Sequence, residues 1–141
     1  MGVGIIKARR NVMPSIFTKI IQGEIPCHKV DESDKYLAFL DIRPIKPGDT
    51  LVIPKQESGY IFDLKDPELS GLVLFAKKVA HKIEKAIPCS RIGIMVAGLE
   101  VPHTHIHLIP IDSIRDLNFA LARPADSIEL AKVVQKILPT V

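Results

Sequence analysis

Apolar residues recur along this chain at two different spacings, and each spacing predicts its own kind of element. Alternating apolar residues, and short apolar runs bounded by glycine, proline or acidic residues, are typical of strands. They predict strands at about residues 27–32, 36–41, 50–54, 91–97 and 102–110. A loop at residues 44–48, rich in proline and glycine, separates the second strand from the third.

Helical spacing marks three other segments. Ser15 is a typical helix N-cap and predicts a short helix to about Gln22. Asp66, followed by a proline, begins the longest helix. Asp126 and Glu129 form a capping-box pattern before a terminal helix. The apolar positions of the longest helix form one stripe, made of Leu69, Leu72, Val73, Ala76, Val79, Ala80, Ile83 and Ile87.

Helices inserted between hairpin-like strands indicate an α+β fold rather than a doubly wound parallel sheet. We therefore expect an antiparallel sheet of about five strands, with one long helix and short terminal helices. A length of 141 residues, of which 47% are hydrophobic, suffices for one domain with a core but not for two. We assign residues 13–141 to that domain. Residues 1–12 form an N-terminal extension that we expect to be flexible and without a function.

Composition excludes several classes of partner. The formal net charge is +3, and the 19 basic and 16 acidic residues are interspersed, so we expect no nucleic-acid partner. The apolar runs are far shorter than the ~18 residues of a membrane span, so we expect no membrane partner. Cys27 and Cys89 lack the Cys-x-x-Cys spacing. We interpret them as free thiols in a reducing compartment and expect a cytoplasmic protein.

The sequence HTHIHLIP at residues 103–110 is the most informative stretch of the chain. Side chains alternate between the two faces of a strand, so His103, His105 and His107 are predicted to share one face. Thr104 and Ile106 then point the other way, where they can pack on a core. A row of imidazoles on a rigid strand is suitable for catalysis or for metal binding.

Three interpretations of this row remain open. Imidazole is a common zinc ligand, but three successive alternate positions span about 13 Å on a straight strand, too far for one ion. The histidines could instead be exposed without a function. The interpretation that we favour is catalytic. In it a neutral histidine is the nucleophile, and the neighbouring histidines orient it and supply protons.

The row resembles the signature of the histidine triad superfamily, His-φ-His-φ-His-φ-φ with φ apolar, from which Thr104 departs. The segment IFTKIIQGEIP at residues 16–26 resembles the amino-terminal helix of that family. The segments LAFLDI at 37–42 and LVIPK at 51–55 resemble its nucleotide-pocket strands. The order of these segments matches the family over about residues 15–110, which makes the resemblance specific.

The resemblance implies a role for each histidine. His105 stands at the position of the nucleophile, which would form a covalent nucleotidyl-histidine. His103 would fix the tautomer of His105 through a hydrogen bond, with a main-chain carbonyl behind it. His107 would lie near the leaving group or a phosphate oxygen, where an N–H donor stabilises developing charge.

The resemblance also implies a nucleotide site. Asp41 matches the acid that binds both ribose hydroxyls, and we interpret Lys55 as a solvated charge rather than a phosphate ligand. The backbone around Gly98 and Val101 would hold the phosphate. The residues that match the apolar lining of the base site are Ile16, Phe17, Phe39, Ile42 and Leu51.

The chain departs from the family pattern beside the triad. Residues 97–102 read AGLEVP, without the Asn, Gln and Ser that hold the α-phosphate in well-studied members. We expect Glu100 to point outward, because an unpaired buried carboxylate beside a phosphate is costly. Asp49 stands where many members carry a fourth histidine, and we expect it to orient His103. Ser15 and Thr18 stand where some members bind a structural zinc through cysteines, so we expect no metal and no cofactor.

The function implied is that of a nucleotide-binding hydrolase. It would release a nucleoside monophosphate from a phosphoramidate, acyl or polyphosphate leaving group through the covalent intermediate. The implied partners are a purine nucleotide or nucleotide conjugate and a second copy of the chain in a two-fold dimer. Two alternatives stay open: a non-enzymatic nucleotide-binding regulatory module, and a dinucleoside polyphosphate hydrolase or nucleotidyl transferase.

Overall fold

The computed structural model describes residues 15–138, so the predicted N-terminal extension lies outside the described residues. The helices are α1 (Ile16–Ile21), α2 (Asp66–Ala86) and α3 (Ser127–Ile137). The strands are β1 (Lys29–Glu32), β2 (Tyr36–Leu40), β3 (Thr50–Pro54), β4 (Arg91–Met95) and β5 (Ile106–Ile111). Short 3-10 helices lie at Ile61–Asp63, Ile114–Asp116 and Phe119–Leu121.

The strands form a single antiparallel sheet in the order β1-β2-β3-β5-β4. Strand β5 therefore lies between β3 and β4, so β3 pairs with β5 rather than with β4, the next strand in sequence. Leu51 of β3 pairs with His107 of β5, and Met95 of β4 pairs with the same histidine on the other side. The predicted α+β fold, with five antiparallel strands and one long helix, is confirmed.

The two faces of the sheet carry different cores, because successive side chains of each strand alternate. The predicted stripe of α2 packs on one face except for Val73, which is 48% exposed. Leu72, Val79 and Ile83 are fully buried there near Val52 and Leu108. Helix α1 covers the other face. Its core comprises Phe17, Leu37, Phe39, Leu51 and Ile53. Leu51 pairs with His107, so the histidine lies on the α1 face.

The predicted helix caps are confirmed. The Ser15 hydroxyl accepts a hydrogen bond from the Thr18 N–H at the start of α1. The Asp126 carboxylate accepts one from the Glu129 N–H at the start of α3. Each side chain satisfies one of the backbone donors that a helix N-terminus leaves open. No helix within residues 15–138 has the length and apolar content needed to cross a membrane.

Two predicted strands extended too far around the triad. Strand β4 ends at Met95 rather than near 97, and β5 begins at Ile106 rather than near 102. Pro102 has no N–H to donate to a ladder. The N–H of His103 donates to the Val101 carbonyl, and that of Thr104 to the Ser58 carbonyl. The first two histidines therefore precede the paired strand and are held by loop contacts.

Candidate active site

The three histidines of the row lie together on the α1 face of the sheet, as their spacing predicts. The ring centroids of His105 and His107 are 5.0 Å apart. The Phe17 ring of α1 packs edge to face on two of the histidines, with its centroid 5.9 Å from that of His103 and 5.1 Å from that of His105. All three imidazoles are buried. Their environment is therefore a partly apolar one beneath α1.

His105 is oriented by the main chain. Its Nδ1 lies 2.7 Å from the carbonyl oxygen of His103. A carbonyl only accepts, so Nδ1 carries the proton and Nε2 keeps an unshared electron pair. The expected hydrogen bond between His103 and His105 is present, but the main-chain carbonyl of His103 accepts it, while Nε2 of the His103 ring donates to the Pro54 carbonyl.

His103 is held by hydrogen bonds to residues from two other segments, the start of α1 and the end of β3. Its Nε2 donates to the Pro54 carbonyl at 2.8 Å, so its Nδ1 must accept. The hydroxyls of Ser15 and Thr18 lie 3.2 and 3.4 Å from Nδ1. Thr18 already donates to the Glu57 carboxylate at 2.8 Å, which leaves Ser15 as the donor to His103. Burial lowers the pKa of His103, and the hydrogen bond to Pro54 opposes this effect.

Sequence reasoning did not find this set of contacts. Ser15 was predicted as a helix N-cap, Ser15 and Thr18 were otherwise considered as poor zinc ligands, and Glu57 was not singled out. The two hydroxyls are separated from His103 by more than eighty residues in sequence. No local motif connects them. The sequence marked Ser15 as a helix N-cap, and this role predicts a structural residue rather than a residue of the site.

Asp49 lies beside His107 and not beside His103, so its expected role is corrected. Its Oδ1 is 4.0 Å from Nδ1 of His107, and its Oδ2 accepts from the Ile45 N–H at 3.0 Å. The register explains the position. Thr50, the next residue, pairs with the residue that follows His107 in β5. The first histidine precedes that strand and lies at the opposite end of β3, near Pro54.

Asp49 and His107 form a buried pair of unusual charge state. Neither Asp49 Oδ1 nor His107 Nδ1 has a hydrogen-bond partner within the described part of the chain. Burial raises the pKa of Asp49 to about 8. Burial, with a smaller contribution from His105, lowers the pKa of His107 to about 4. At neutral pH a protonated acid therefore faces a neutral imidazole.

One group of side chains could offer donors to a cation. Atoms of Asp41, Asp49 and His107 lie within 4.8 Å of one another. Each carboxylate has one oxygen already bound to a backbone N–H, from Arg43 and from Ile45. The group provides three donors, the number of protein ligands in a catalytic zinc site and one fewer than in a structural site. Both ring nitrogens of His103 contact protein atoms, so this ring has none left for an ion.

A cavity of about 350 Å³ opens beside His105 and His107. Its volume is within the range of pockets that bind small molecules. The predicted nucleotide-binding residues that line it are Ile16, Phe17, Phe39, Asp41, Ile42, Leu51 and Val101. Gly98 is different, since it lines a smaller cavity on another side of His105. The large cavity thus brings together all the predicted nucleotide-binding residues except Gly98.

Several walls of this cavity were not predicted. The Phe119 ring packs on His107 with centroids 4.8 Å apart, and Arg43 and Ala122 line the cavity nearby. Phe119 belongs to a short 3-10 helix after the triad, a region with no recognisable motif. Ile16 and Ile42, by contrast, are 46% and 63% exposed. The cavity therefore has a buried apolar floor and an exposed apolar mouth.

Asp41 is the acidic group of the cavity. Its Oδ1 accepts from the Arg43 N–H at 2.9 Å, and its Oδ2 lies 3.7 Å from Nδ1 of His107. Burial raises the pKa of Asp41, the Arg43 hydrogen bond opposes the rise, and the charge of Glu100 adds to it. Glu100 was expected to point away from the site; it is exposed, but it lines the same cavity. A bound anion would therefore experience its charge.

Lys55 and the two cysteines are as predicted. Lys55 forms an ion pair with Glu32 at 2.7 Å, so the structure gives it a surface partner rather than a place in the cavity. Cys27 and Cys89 are free thiols, as their spacing predicts. Of these three residues, Cys27 lines the large cavity.

The fold and the site together define a class. Three histidines at alternate positions, at and just before the start of β5, lie beside a largely apolar cavity that contains the carboxyl group of Asp41, which is the arrangement expected from the triad signature. The sequence model of the HIT domain family matches residues 22–114. This chain belongs to the HIT family.

Individual relatives agree with this assignment. An uncharacterized HIT-like protein of Borreliella burgdorferi is 40% identical over 102 residues, which cover 67% of this chain and 73% of that protein. The adenosine 5′-monophosphoramidase hnt1 of Schizosaccharomyces pombe is 38% identical over 103 residues, covering 70% and 74%. The crystal structure of a Hit-like protein from Bartonella henselae superposes with a TM-score of 0.80 at 32% identity, covering 90% and 96%.

Proposed function

We propose that this protein hydrolyses nucleotide conjugates in which a nucleoside monophosphate is joined to an amine, an acyl group or a further phosphate. A covalent nucleotidyl-His105 is the intermediate. The observation that carries the proposal is the hydrogen bond from His105 Nδ1 to the His103 carbonyl at 2.7 Å. It leaves Nε2 as a neutral nucleophile on a ring that lines the cavity.

The first step forms the nucleotidyl-enzyme. The electron pair of His105 Nε2 attacks phosphorus, and the bond between phosphorus and the leaving nitrogen breaks. The electron pair of that bond stays on nitrogen, which takes a proton from solvent. The positive charge on the imidazole is stabilised by the Nδ1–H bond to the His103 carbonyl. In the second step water attacks phosphorus, Nε2 recovers its electron pair, and the proton of the water leaves to solvent.

The nucleoside occupies the large cavity in this proposal. Asp41 accepts hydrogen bonds from the ribose hydroxyls through Oδ2, because Oδ1 is already bound to the Arg43 N–H. The base lies between the apolar floor, which includes Phe17 and Phe39, and the exposed mouth at Ile42. A purine suits this cavity because it offers a flat apolar surface to the aromatic rings.

His107 and Asp49 act on the phosphate. A protonated Asp49 can donate to Nδ1 of His107 once the 4.0 Å gap closes or a water fills it. A neutral imidazole carries one proton, so that donation keeps the proton of His107 on Nε2. The Nε2–H then donates to a phosphate oxygen, where it stabilises the charge that develops during attack. Backbone N–H groups of residues 98–101 hold the remaining oxygens, with Gly98 and Val101 at the two ends of that segment.

The amine conjugate is the first substrate to test, since a relative at 38% identity carries the name adenosine 5′-monophosphoramidase. We expect adenosine 5′-phosphoramidate to be converted to AMP and ammonia by the purified protein. Acyl adenylates, dinucleoside polyphosphates and the guanosine phosphoramidate are assayed in parallel to rank the leaving groups and bases. Tight AMP binding without turnover of any conjugate would instead support the regulatory module, which the Glu100 carboxylate at the cavity favours.

We propose that two copies of the chain form a dimer through the edge of the sheet at β4. This strand is the last in the described sheet, and an edge strand has backbone groups open to pairing. Exposed apolar side chains lie on β4, after it and on α2, namely Val73, Leu74, Ile94 and Val96. Light scattering should give twice the chain mass, and Ile94→Asp should halve it. A monomeric wild-type protein would contradict the dimer.

We also propose a cytoplasmic location, on the basis of the two thiols. Cys27 and Cys89 are both partly accessible and are not joined to each other. Thiols of this kind persist in reducing compartments. Fractionation of cells that express the protein tests this assignment.

A further inference from the structure

Glu57 lies in the loop after β3, and its side chain reaches the start of α1. Its Oε1 accepts a hydrogen bond from the Thr18 hydroxyl at 2.8 Å. Glu57 is exposed, whereas Thr18 is only 8% exposed. Neither residue lines the nucleoside cavity or the smaller cavity on the other side of His105. Any effect of this pair on the reaction must therefore pass through other residues.

Two hydroxyls compete for one electron pair of His103. Nε2 of this ring donates to the Pro54 carbonyl, so Nδ1 offers a single electron pair to a donor. The hydroxyls of Ser15 and Thr18 lie 3.2 and 3.4 Å from Nδ1, and 3.5 Å from each other. Each hydroxyl has one proton to donate. Because Glu57 accepts the proton of Thr18, Ser15 is the hydroxyl that donates to His103.

Ser15 is held on two sides in this arrangement. Its Oγ accepts from the Thr18 N–H, as the N-cap of α1, and donates to Nδ1 of His103. Without the Glu57 acceptor, the buried Thr18 hydroxyl would turn to the nearest acceptors, which are Nδ1 of His103 and Oγ of Ser15. Either choice displaces the bond from Ser15 to His103. Glu57 therefore selects one of two arrangements of the hydroxyl pair, and with it one position of the His103 ring.

The peptide group between His103 and Thr104 links this ring to the nucleophile. The carbonyl of the group accepts from Nδ1–H of His105, and its N–H donates to the Ser58 carbonyl. A shift of the His103 ring would rotate this peptide group and weaken the bond to His105. The tautomer of a histidine is set by the hydrogen bond that one of its nitrogens makes, so weakening that bond lets the proton move to Nε2. A proton on Nε2 would remove the electron pair that attacks phosphorus.

We propose that Glu57 is a positioning residue for the nucleophile. By accepting the proton of Thr18, it leaves Ser15 as the donor to His103, and the fixed His103 carbonyl keeps the proton of His105 on Nδ1. Glu57 does not touch the substrate. The effect on turnover rests on the proposed function, whereas the tautomer of His105 is a property of the protein without substrate.

Three variants of the full-length protein, one of them double, test this role. Glu57→Ala removes the acceptor, and Glu57→Gln keeps an acceptor oxygen without the charge. The double variant Glu57→Ala/Thr18→Val also removes the competing hydroxyl. If competition for His103 is the reason for the defect, this second substitution restores what the first one disturbs. Glu24→Ala, at an exposed glutamate after α1, is the matched control.

The kinetic arm uses adenosine 5′-phosphoramidate and AMP. Glu57→Ala should lower kcat about threefold to tenfold, the range for loss of one hydrogen bond to a charged acceptor. AMP affinity should not change, because neither Glu57 nor Thr18 lines the nucleoside cavity. Glu57→Gln and the double variant should each keep kcat within about twofold of the wild-type value, and Glu24→Ala should change nothing. A merely structural role would instead make the double variant worse than Glu57→Ala.

The spectroscopic arm needs no substrate. Nitrogen-15 NMR of the imidazoles distinguishes a nitrogen that carries a proton from one that does not. The wild-type protein, Glu57→Gln and the double variant should show the proton of His105 on Nδ1 alone. Glu57→Ala should show a mixture of the two tautomers.

The outcomes separate this inference from the function on which its kinetic arm rests. If the wild-type protein hydrolyses no nucleotide conjugate, the proposed function fails, and the NMR spectra alone decide the role of Glu57. A wild-type tautomer of His105 in Glu57→Ala would overturn the inference. Equal losses of kcat in Glu57→Gln and Glu57→Ala would show that charge and not the hydrogen bond matters, which also contradicts it. A double variant with a lower kcat than Glu57→Ala would rule out competition by Thr18.

Discussion

The carboxyl group of Asp49 faces the imidazole of His107 with Oδ1 and Nδ1 4.0 Å apart, and neither atom has a hydrogen bond within residues 15–138. Both groups are buried, and burial disfavours their charged forms even though the Asp41 carboxyl lies 3.7 Å from Nδ1 of His107. The protein therefore stabilises them in their neutral forms. The charge state of this pair determines both the stability of the fold and the direction in which His107 presents its proton.

Stability should decrease between about pH 6.5 and 8. The folded protein keeps a proton on Asp49 up to a pKa of about 8, whereas an unfolded aspartate loses it near 3.8. Over that whole interval the unfolded state binds fewer protons, so the free energy of unfolding falls as pH rises. His107 has the opposite effect, since its pKa falls from 6.5 to about 4. The contribution of His107 to the free energy of unfolding therefore rises with pH up to about 6.5, and below that pH it offsets the decrease caused by Asp49.

The measurement is a series of urea unfolding curves at different pH values. The wild-type protein should lose up to about 1.4 kcal/mol per pH unit above pH 6.5 from this one proton. Asp49→Asn should remove that loss, and Asp34→Asn, at an exposed carboxylate, should not. Equal pH dependence in the wild-type protein and Asp49→Asn would show that Asp49 is ionised in the folded state.

His105→Ala should lower kcat by ~10³-fold or more, because residual binding cannot replace covalent catalysis. Rapid mixing of the wild-type protein with substrate should leave a nucleotide mass on a peptide that contains His105. His81→Ala is the matched control, since His81 is exposed on α2 and pairs with Glu84. Normal turnover by His105→Ala would remove this residue from the nucleophile position.

Asp41→Asn should weaken nucleoside monophosphate binding by about 1–3 kcal/mol, the range for hydrogen bonds to a charged acceptor. Only one of its oxygens is open to the ribose, because the other is bound to the Arg43 N–H. Calorimetric titration with AMP and with its 2′,3′-dideoxy analogue measures the effect. The dideoxy ligand should bind the wild-type protein and the variant alike. Equal wild-type affinity for the two ligands would contradict ribose recognition by Asp41.

Glu100→Gln should raise kcat/KM by about threefold at low salt, because the carboxylate lines the cavity that receives the anionic phosphate. Exposure of Glu100 means that added salt should reduce the gain. Glu84→Gln on α2 is the control, and it should change nothing. A loss of ~10²-fold in kcat for Glu100→Gln would be typical of an acid-base residue and would place Glu100 among the catalytic groups.

The sequence predicted the sheet and the face that carries the histidines, because both depend on the local pattern of apolar residues. The segments around Leu37 and Leu51 are short apolar runs, buried almost throughout, and they became β2 and β3. The start of β5 was missed because His103 and Thr104 alternate as a strand would, while their N–H groups bind loop carbonyls. Periodicity shows which side a residue faces but does not show whether its backbone is paired.

The contacts of individual side chains could not be predicted, because they depend on register and on distant segments. Asp49 was expected beside His103 and lies beside His107, a difference that follows from the pairing of Thr50 with Leu108. The bond between Thr18 and Glu57 is a similar case. Thr18 stood out as a position where some members of the family bind zinc, but its partner Glu57 comes from a loop that no motif connects to it.

The short helix α1 makes the assembly of the site cooperative. Six residues are too few for a helix to be stable by itself, so α1 exists only while it is docked on the sheet. Ser15 caps this helix and also donates to His103, and Phe17 contacts the rings of His103 and His105. A single local opening of α1 would thus release the first histidine, uncover the nucleophile and remove one wall of the nucleoside cavity. Nucleotide that contacts this wall would in turn slow amide hydrogen exchange throughout α1.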